Sequence, residues 1–128
     1  MGYESKIIFV DKHEYSSGSI YGQEIATWDM CKMGWYEFKG KSFKDIFTIP
    51  IDFDLDLNGE VFGEEARIDA YGEHCKYTTV DNVINWLECY VEKVNYRRAE
   101  LLLAFLYIIK KQIDDGKWNQ ICVVHYGY

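Results

Sequence analysis

Ile51-Asp52-Phe53-Asp54-Leu55-Asp56-Leu57-Asn58-Gly59-Glu60-Val61-Phe62 is the stretch on which the fold of this 128-residue chain turns. From Ile51 to Leu57 apolar and acidic residues alternate strictly. That period of two belongs to a strand with one dry face and one wet face. Ile51, Phe53, Leu55 and Leu57 are predicted to face inward, and Asp52, Asp54 and Asp56 outward. Asn58-Gly59 comes next, and both central residues of a type I′ turn need positive φ, which these two residue types accept most readily. Glu60 to Tyr71 is therefore expected to return as the partner strand, kinked at Gly63.

The neighbouring segments fit the same plan. Lys6 to Val10 reads as a first strand, followed by a polar turn through Ser16, Ser17 and Gly18. Ile20 to Met33 reads as a second, with Ala26, Trp28 and Met30 on one face, and Gly34 to Lys44 as a loop dense in Lys and aromatics. Val80, Val83, Ile84, Leu87, Val91 and Val94 recur at helical spacing behind Thr78, the predicted N-cap, leaving Asp81, Asn85, Glu88 and Glu92 wet. A second helix is expected from Arg97 to Asp114, ended by Gly116. Its run from Leu101 to Ile109 is apolar throughout, which predicts burial nearly all round. Ile121 to Tyr126 is apolar enough for a central strand. The fold class is thus α+β, a single domain over 1–128. An antiparallel sheet of about five strands packs on two helices of the C-terminal half, with the last strand in the sheet.

Composition narrows the function. Net charge is −7, and all of it comes from one segment: Asp45 to Glu65 holds seven acids and no Lys or Arg, while the other fourteen acids balance the fourteen bases. A broad basic face for direct nucleic-acid binding is not expected. Such a segment attracts basic proteins or metal ions. Cys31, Cys75, Cys89 and Cys122 are too scattered for a CxxC pair or a zinc knuckle, and Cys89 and Cys122 read as small apolar fillers. No leader, lipid-anchor or membrane-span pattern is present, so a reduced, cytoplasmic setting is the simplest expectation.

Four patterns bear on chemistry. Asp54 to Glu65 matches the twelve-residue calcium loop: Asp54, Asp56 and Asn58 supply side-chain oxygens, Gly59 the bend and Glu65 the closing carboxylate. A calcium loop needs a helix on either side, however, and Pro50 with the alternation before Asp54 points to a strand, so a plain acidic hairpin stands beside the calcium reading. Outward carboxylates two residues apart recur every ~6.6 Å along a strand. Asp52, Asp54 and Asp56, extended by Glu65, therefore approach the spacing of nucleic-acid phosphates and offer a decoy for a basic channel. Trp35 and Tyr36 would add aromatic contact area. Gly34 to Ser42 ends like a phosphate-binding loop but has one residue too many between its glycines, and three bulky aromatics where backbone must wrap a phosphate. Lys39 and Lys41, with Arg97 and Arg98, form the alternative ligand set, one for an anionic nucleotide. His74 and Cys75 are adjacent and point to opposite faces of an extended chain, so they make no nucleophile–base pair. His125 reads as a hydrogen-bonded core residue. No catalytic motif is present, and the chain is expected not to be an enzyme.

Met1-Gly2-Tyr3-Glu4-Ser5, Cys31-Lys32-Met33-Gly34, Tyr71-Gly72-Glu73-His74-Cys75 and His125-Tyr126-Gly127-Tyr128 carry a resemblance. With these residues the chain resembles a group of small phage and prophage proteins of gut and soil Firmicutes. The resemblance implies a genomic setting, that of a phage or prophage in a bacterial host, and no mechanism. By analogy of class, small acidic phage proteins bind and block host defence machines. The expected function is an acidic binding protein, an inhibitor of a nucleic-acid-acting defence effector of the CRISPR-nuclease kind. The expected partner is a host protein with a basic surface, with no direct nucleic-acid or membrane binding, no cofactor unless calcium, and an oligomeric state the sequence does not indicate. Sequestration of an anionic nucleotide signal is the alternative.

Overall fold

The computed structural model describes residues 4–31, 37–38 and 41–128. In chain order its strands and helices are β1 (Ser5–Glu14), β2 (Ile20–Cys31), β3 (Glu37–Phe38), β4 (Lys41–Ser42), β5 (Ile49–Pro50), β6 (Asp54–Leu57), β7 (Glu60–Phe62), β8 (Lys76–Thr78), α1 (Val80–Lys93), α2 (Arg97–Asp114) and β9 (Ile121–Gly127). Two 3-10 turns, Phe43–Ile46 and Glu64–Arg67, connect them. Seven strands form one sheet in the order β5-β8-β9-β1-β2-β6-β7, and β3 pairs with β4 apart from it.

The class is α+β, with both helices in the C-terminal half. The sheet, however, has seven strands and is mixed, where about five antiparallel strands are expected from the sequence. Two physical causes account for the difference. β5 and β8 are two and three residues long, too short to show an alternation. Between β2 and β6 the chain visits the opposite edge of the sheet to form β5, and it returns beside β2 running the same way, so Tyr21 to Gln23 pair in parallel with Asp54 to Asp56.

β1 and β9 lie inside the sheet because they have no wet face to offer. Ile7, Phe9, Ile121 and Val123 belong to the core beneath α1 and α2. Their neighbours Ile8, Val10, Cys122 and Val124 enter a second core on the opposite face, closed by Ile51, Phe53, Leu55 and Cys75. This is the continuous apolar pattern of strands covered on both sides. Gly22 in β2 lets the second core close: a Cβ there would meet Phe53 Cε2 at 2.8 Å and Val10 Cγ2 at 3.1 Å. Phe53 is buried and held edge-on to Tyr77, so it has little room to move. Gly22→Ala is expected to destabilise the fold by about 1–3 kcal/mol through overpacking, readable as a lower midpoint in urea.

The acidic hairpin forms as the sequence predicts. β6 and β7 pair antiparallel about Asn58 (φ 57°) and Gly59 (φ 85°). Ile51, Phe53 and Leu55 are buried, and Leu57 is half-buried. The returning strand is shorter than expected: β7 ends at Phe62, and the chain turns 3-10 after Gly63.

Helix boundaries hold with one shift. Thr79, not Thr78, caps α1, its side chain accepting the Asn82 N–H. Thr78 lies buried at the end of β8 and bonds the Asn82 amide. Asp81, Asn85, Glu88 and Glu92 are exposed as expected. Cys89 is exposed too, against its expected role as an apolar filler. α2 ends at Asp114, with Gly116 at φ 74° accepting the left-handed turn. Its all-round burial does not occur. Ala99, Leu102, Leu103, Leu106 and Ile109 are buried, but Leu101 and Ile108 are 62% and 63% exposed, because α2 has α1 and the sheet on one side and no further layer on the other.

Candidate functional site

The part of the acid-rich segment from Asp52 to Glu65 ends up along one margin of the sheet, since β7 is the last strand and β6 lies next to it, whereas Asp45 lies in the 3-10 turn near the opposite margin. Asp52, Glu60, Glu64 and Glu65 are exposed there, with Val61 between them 51% exposed. The three aspartates of the alternating stretch do not form one uniform wet row. Asp52 precedes β6 and stands open to solvent. Asp54 Oδ1 is 3.4 Å from Arg67 Nη2, which offsets its charge. Asp56 is half-buried, and its Oδ1 is enclosed without a hydrogen-bond partner. Asp54 and Asp56 flank Tyr21 and Gln23 of β2. The Tyr15 hydroxyl, whose ring stacks on Tyr21 at 4.4 Å, has its pKa raised by desolvation and by the field of Asp54, Tyr21 and Asp56. The two carboxylates thus face a tyrosine pair, and the open negative charge sits on Asp52, Glu60, Glu64 and Glu65.

Glu65, the closing ligand of the calcium pattern, lies in the 3-10 turn, whereas Asp54, Asp56 and Asn58 belong to the hairpin. Among the described residues no group of three or more His, Cys, Asp or Glu side chains is placed to hold a metal ion. Of the alternative ligand set, only the two arginines are described with their side chains. Arg97 and Arg98 open α2, and Arg98 donates to the Asp29 carbonyl at 2.8 Å. Lys41 is described only as backbone in β4, and Trp35, Tyr36 and Lys39 lie outside the described residues.

Two of the cysteines are buried away from solvent. Burial pushes the Cys75 and Cys122 thiols up to about 12, so neither supplies a thiolate at neutral pH. His13 lies 3.1 Å from Asp11, while Asp11 accepts the Asn119 and Gln120 N–H groups and thereby ties β1 to the turn before β9. His74 Nε2 contacts the Ile51 carbonyl at 3.0 Å.

Sequence reasoning missed a cleft at the opposite margin, where Lys44, Phe47, Thr48, His74, Lys76 and His125 meet. One local signal pointed there: Asp69-Ala70-Tyr71-Gly72 is a turn sequence. Asp69 accepts the Tyr71 and Glu73 N–H groups on one oxygen, and Gly72 sits at φ 78°. The other lining residues come from distant parts of the chain, and no pattern connects them. No helix among the described residues is long and apolar enough to cross a membrane. In comparisons with known proteins no family model, no curated protein and no solved structure matches this chain.

Proposed function

We propose that this is a non-catalytic binding protein that docks its acidic margin on a basic surface of a partner protein. One observation carries the reading: six acids from Asp52 to Glu65, uninterrupted by Lys or Arg, are gathered at the β6–β7 end of the sheet and the segments flanking it. Of the ion pairs among the described residues, a single one, Arg67 with Asp54, touches them. A one-signed margin steers encounter with a partner of opposite sign and disfavours neutral ones. It also leaves Val61 as an apolar contact among the acids. The partner we favour is a host protein whose basic groove otherwise holds nucleic acid, in the phage-infected cell that the resemblance implies. Open carboxylates at a strand margin are the chemistry such a groove accepts in place of phosphates. Asp52, Glu60, Glu64 and Glu65 would carry most of that contact, with Asp54 and Asp56 supporting the hairpin.

The test is a fourfold charge reversal, Asp52→Lys with Glu60→Lys, Glu64→Lys and Glu65→Lys. All four side chains are exposed, so the variant should fold. Capture from a host lysate by the unaltered protein supplies the partner, which is then purified and titrated. Affinity is expected to fall roughly a hundredfold or more in the variant, and the unaltered pair to weaken steeply with added salt. Equal affinity of both forms for the purified partner would remove the acidic margin from the reading.

A further inference from the structure

At the margin opposite the acids, a cleft of about 650 Å³ opens between the 3-10 turn Phe43–Ile46 and the loop that precedes β8. That is within the roughly 300–1,000 Å³ of small-molecule sites. Its lining holds three acids, Asp45, Asp69 and Glu73, against two lysines, Lys44 and Lys76, but the acids are already engaged by the protein. Asp45 accepts the Ser42 N–H at 2.9 Å. Asp69 accepts the N–H groups of Tyr71, Glu73 and Gly127. Glu73 pairs with Lys44 across the cleft, joining its two walls. What remains to meet a ligand is of the other kind. Lys76 is exposed, and no carboxylate among the described residues pairs with it. It stands opposite His125 in the β8–β9 register, so both side chains lie on one face. Thr48 offers an exposed hydroxyl. The floor is aromatic: the Phe47 and His125 rings lie 5.1 Å apart with their planes tilted by 42°, and Phe43 stands edge-on behind Phe47. Burial lowers the His125 pKa to about 4, so the floor is uncharged at neutral pH.

We propose that this cleft binds a small planar ring bearing one anionic group, with the ring over Phe47 and His125 and the anion between Lys76 and Lys44. Thr48 would donate to the same group, and Lys44 would share its ammonium between Glu73 and the ligand. The site lies across the sheet from the acidic margin, so the two proposals are independent.

Phenyl phosphate and benzoate are the probes, with inorganic phosphate and benzylamine as the arms that separate ring from charge. Titration is followed by the amide shifts of Thr48, Lys76 and His125. Both anionic ring probes should move these amides saturably, more tightly than inorganic phosphate, while benzylamine leaves them unmoved. Lys76→Gln should weaken phenyl phosphate roughly tenfold, whereas the exposed Glu60→Lys change at the far margin should leave it unaltered. Thr48→Trp, which narrows the mouth without touching the floor, should also abolish the shifts and serves if Lys76→Gln fails to fold. Shifts that benzylamine reproduces, shifts that survive both variants, or no saturable shift with any probe at millimolar concentration would each overturn the assignment.

Discussion

Phe9→Ala is expected to cost the fold about 3–5 kcal/mol, the upper range for truncating a buried aromatic ring. Phe9 is fully enclosed at the middle of β1, the central strand, and points into the core beneath the helices. Its ring meets Phe105 of α2 edge-on, with centroids 5.3 Å apart and planes at 84°. Phe105 in turn stacks against Trp28 of β2 at 6.3 Å. Removing the ring deletes apolar burial and the edge-to-face contact together, and it leaves a cavity bounded by β1, β2 and α2, which the sheet cannot close without breaking its own ladder. Since domains of this size retain only about 5–15 kcal/mol in total, the alanine variant can fall below the stability needed for a cooperative transition. Phe9→Leu, expected to lose about 1–2 kcal/mol, then supplies the measurement. Val61→Ala, at the exposed margin, should shift the urea midpoint by less than about 0.5 kcal/mol. If Phe9→Leu and Val61→Ala cost the same, the helices do not pack on β1 as described.

Acidification should weaken the protein well before its ordinary carboxylates titrate, and His125 is the reason. Burial first, and the Lys44 charge second, lower its pKa from 6.5 to about 4, although Asp69 and Glu73 pull in the opposite direction. The unfolded chain therefore binds a proton on His125 that the folded chain refuses between these two values. Stability rises with pH wherever the unfolded state holds more protons. The contribution is accordingly complete above pH 6.5 and is lost as pH falls toward 4, amounting to about 3 kcal/mol. Urea unfolding at pH 7.5 and pH 4.5 should show this loss, and His125→Leu should remove most of the difference between the two pH values even if it lowers stability at both. Identical pH dependence in the two proteins would mean that His125 titrates normally and that the floor of the cleft is open to water.

These two residues also show what was legible in advance. The burial of His125 followed from its place in an apolar strand, because Ile121 to Tyr126 has no wet face. Its neighbours did not follow. Phe43, Phe47 and Lys44 lie about eighty positions earlier in the chain, and only the β5–β8–β9 pairing brings them to it. The same division holds at the acidic margin. Alternation and Asn58-Gly59 were enough to make the hairpin and choose its dry face, whereas the reach of Arg67 to Asp54 depended on how the chain turned after Gly63.

What the sequence determined by itself was local: the hairpin and its turn, α2 from Arg97 to Asp114 with its glycine stop, the central apolar strands, and the concentration of negative charge in one segment. Hydrophobic period, turn chemistry and helix stops act over a few residues, so they can be read along the chain. Tertiary structure alone decided that β2 and β6 run parallel and that two short strands extend the sheet. It also decided that one side of α2 stays open, which aspartates stand exposed and which meets Arg67, and where the cleft forms. Each of those outcomes rests on contacts between residues dozens of positions apart, whose direction and pairing no local preference specifies.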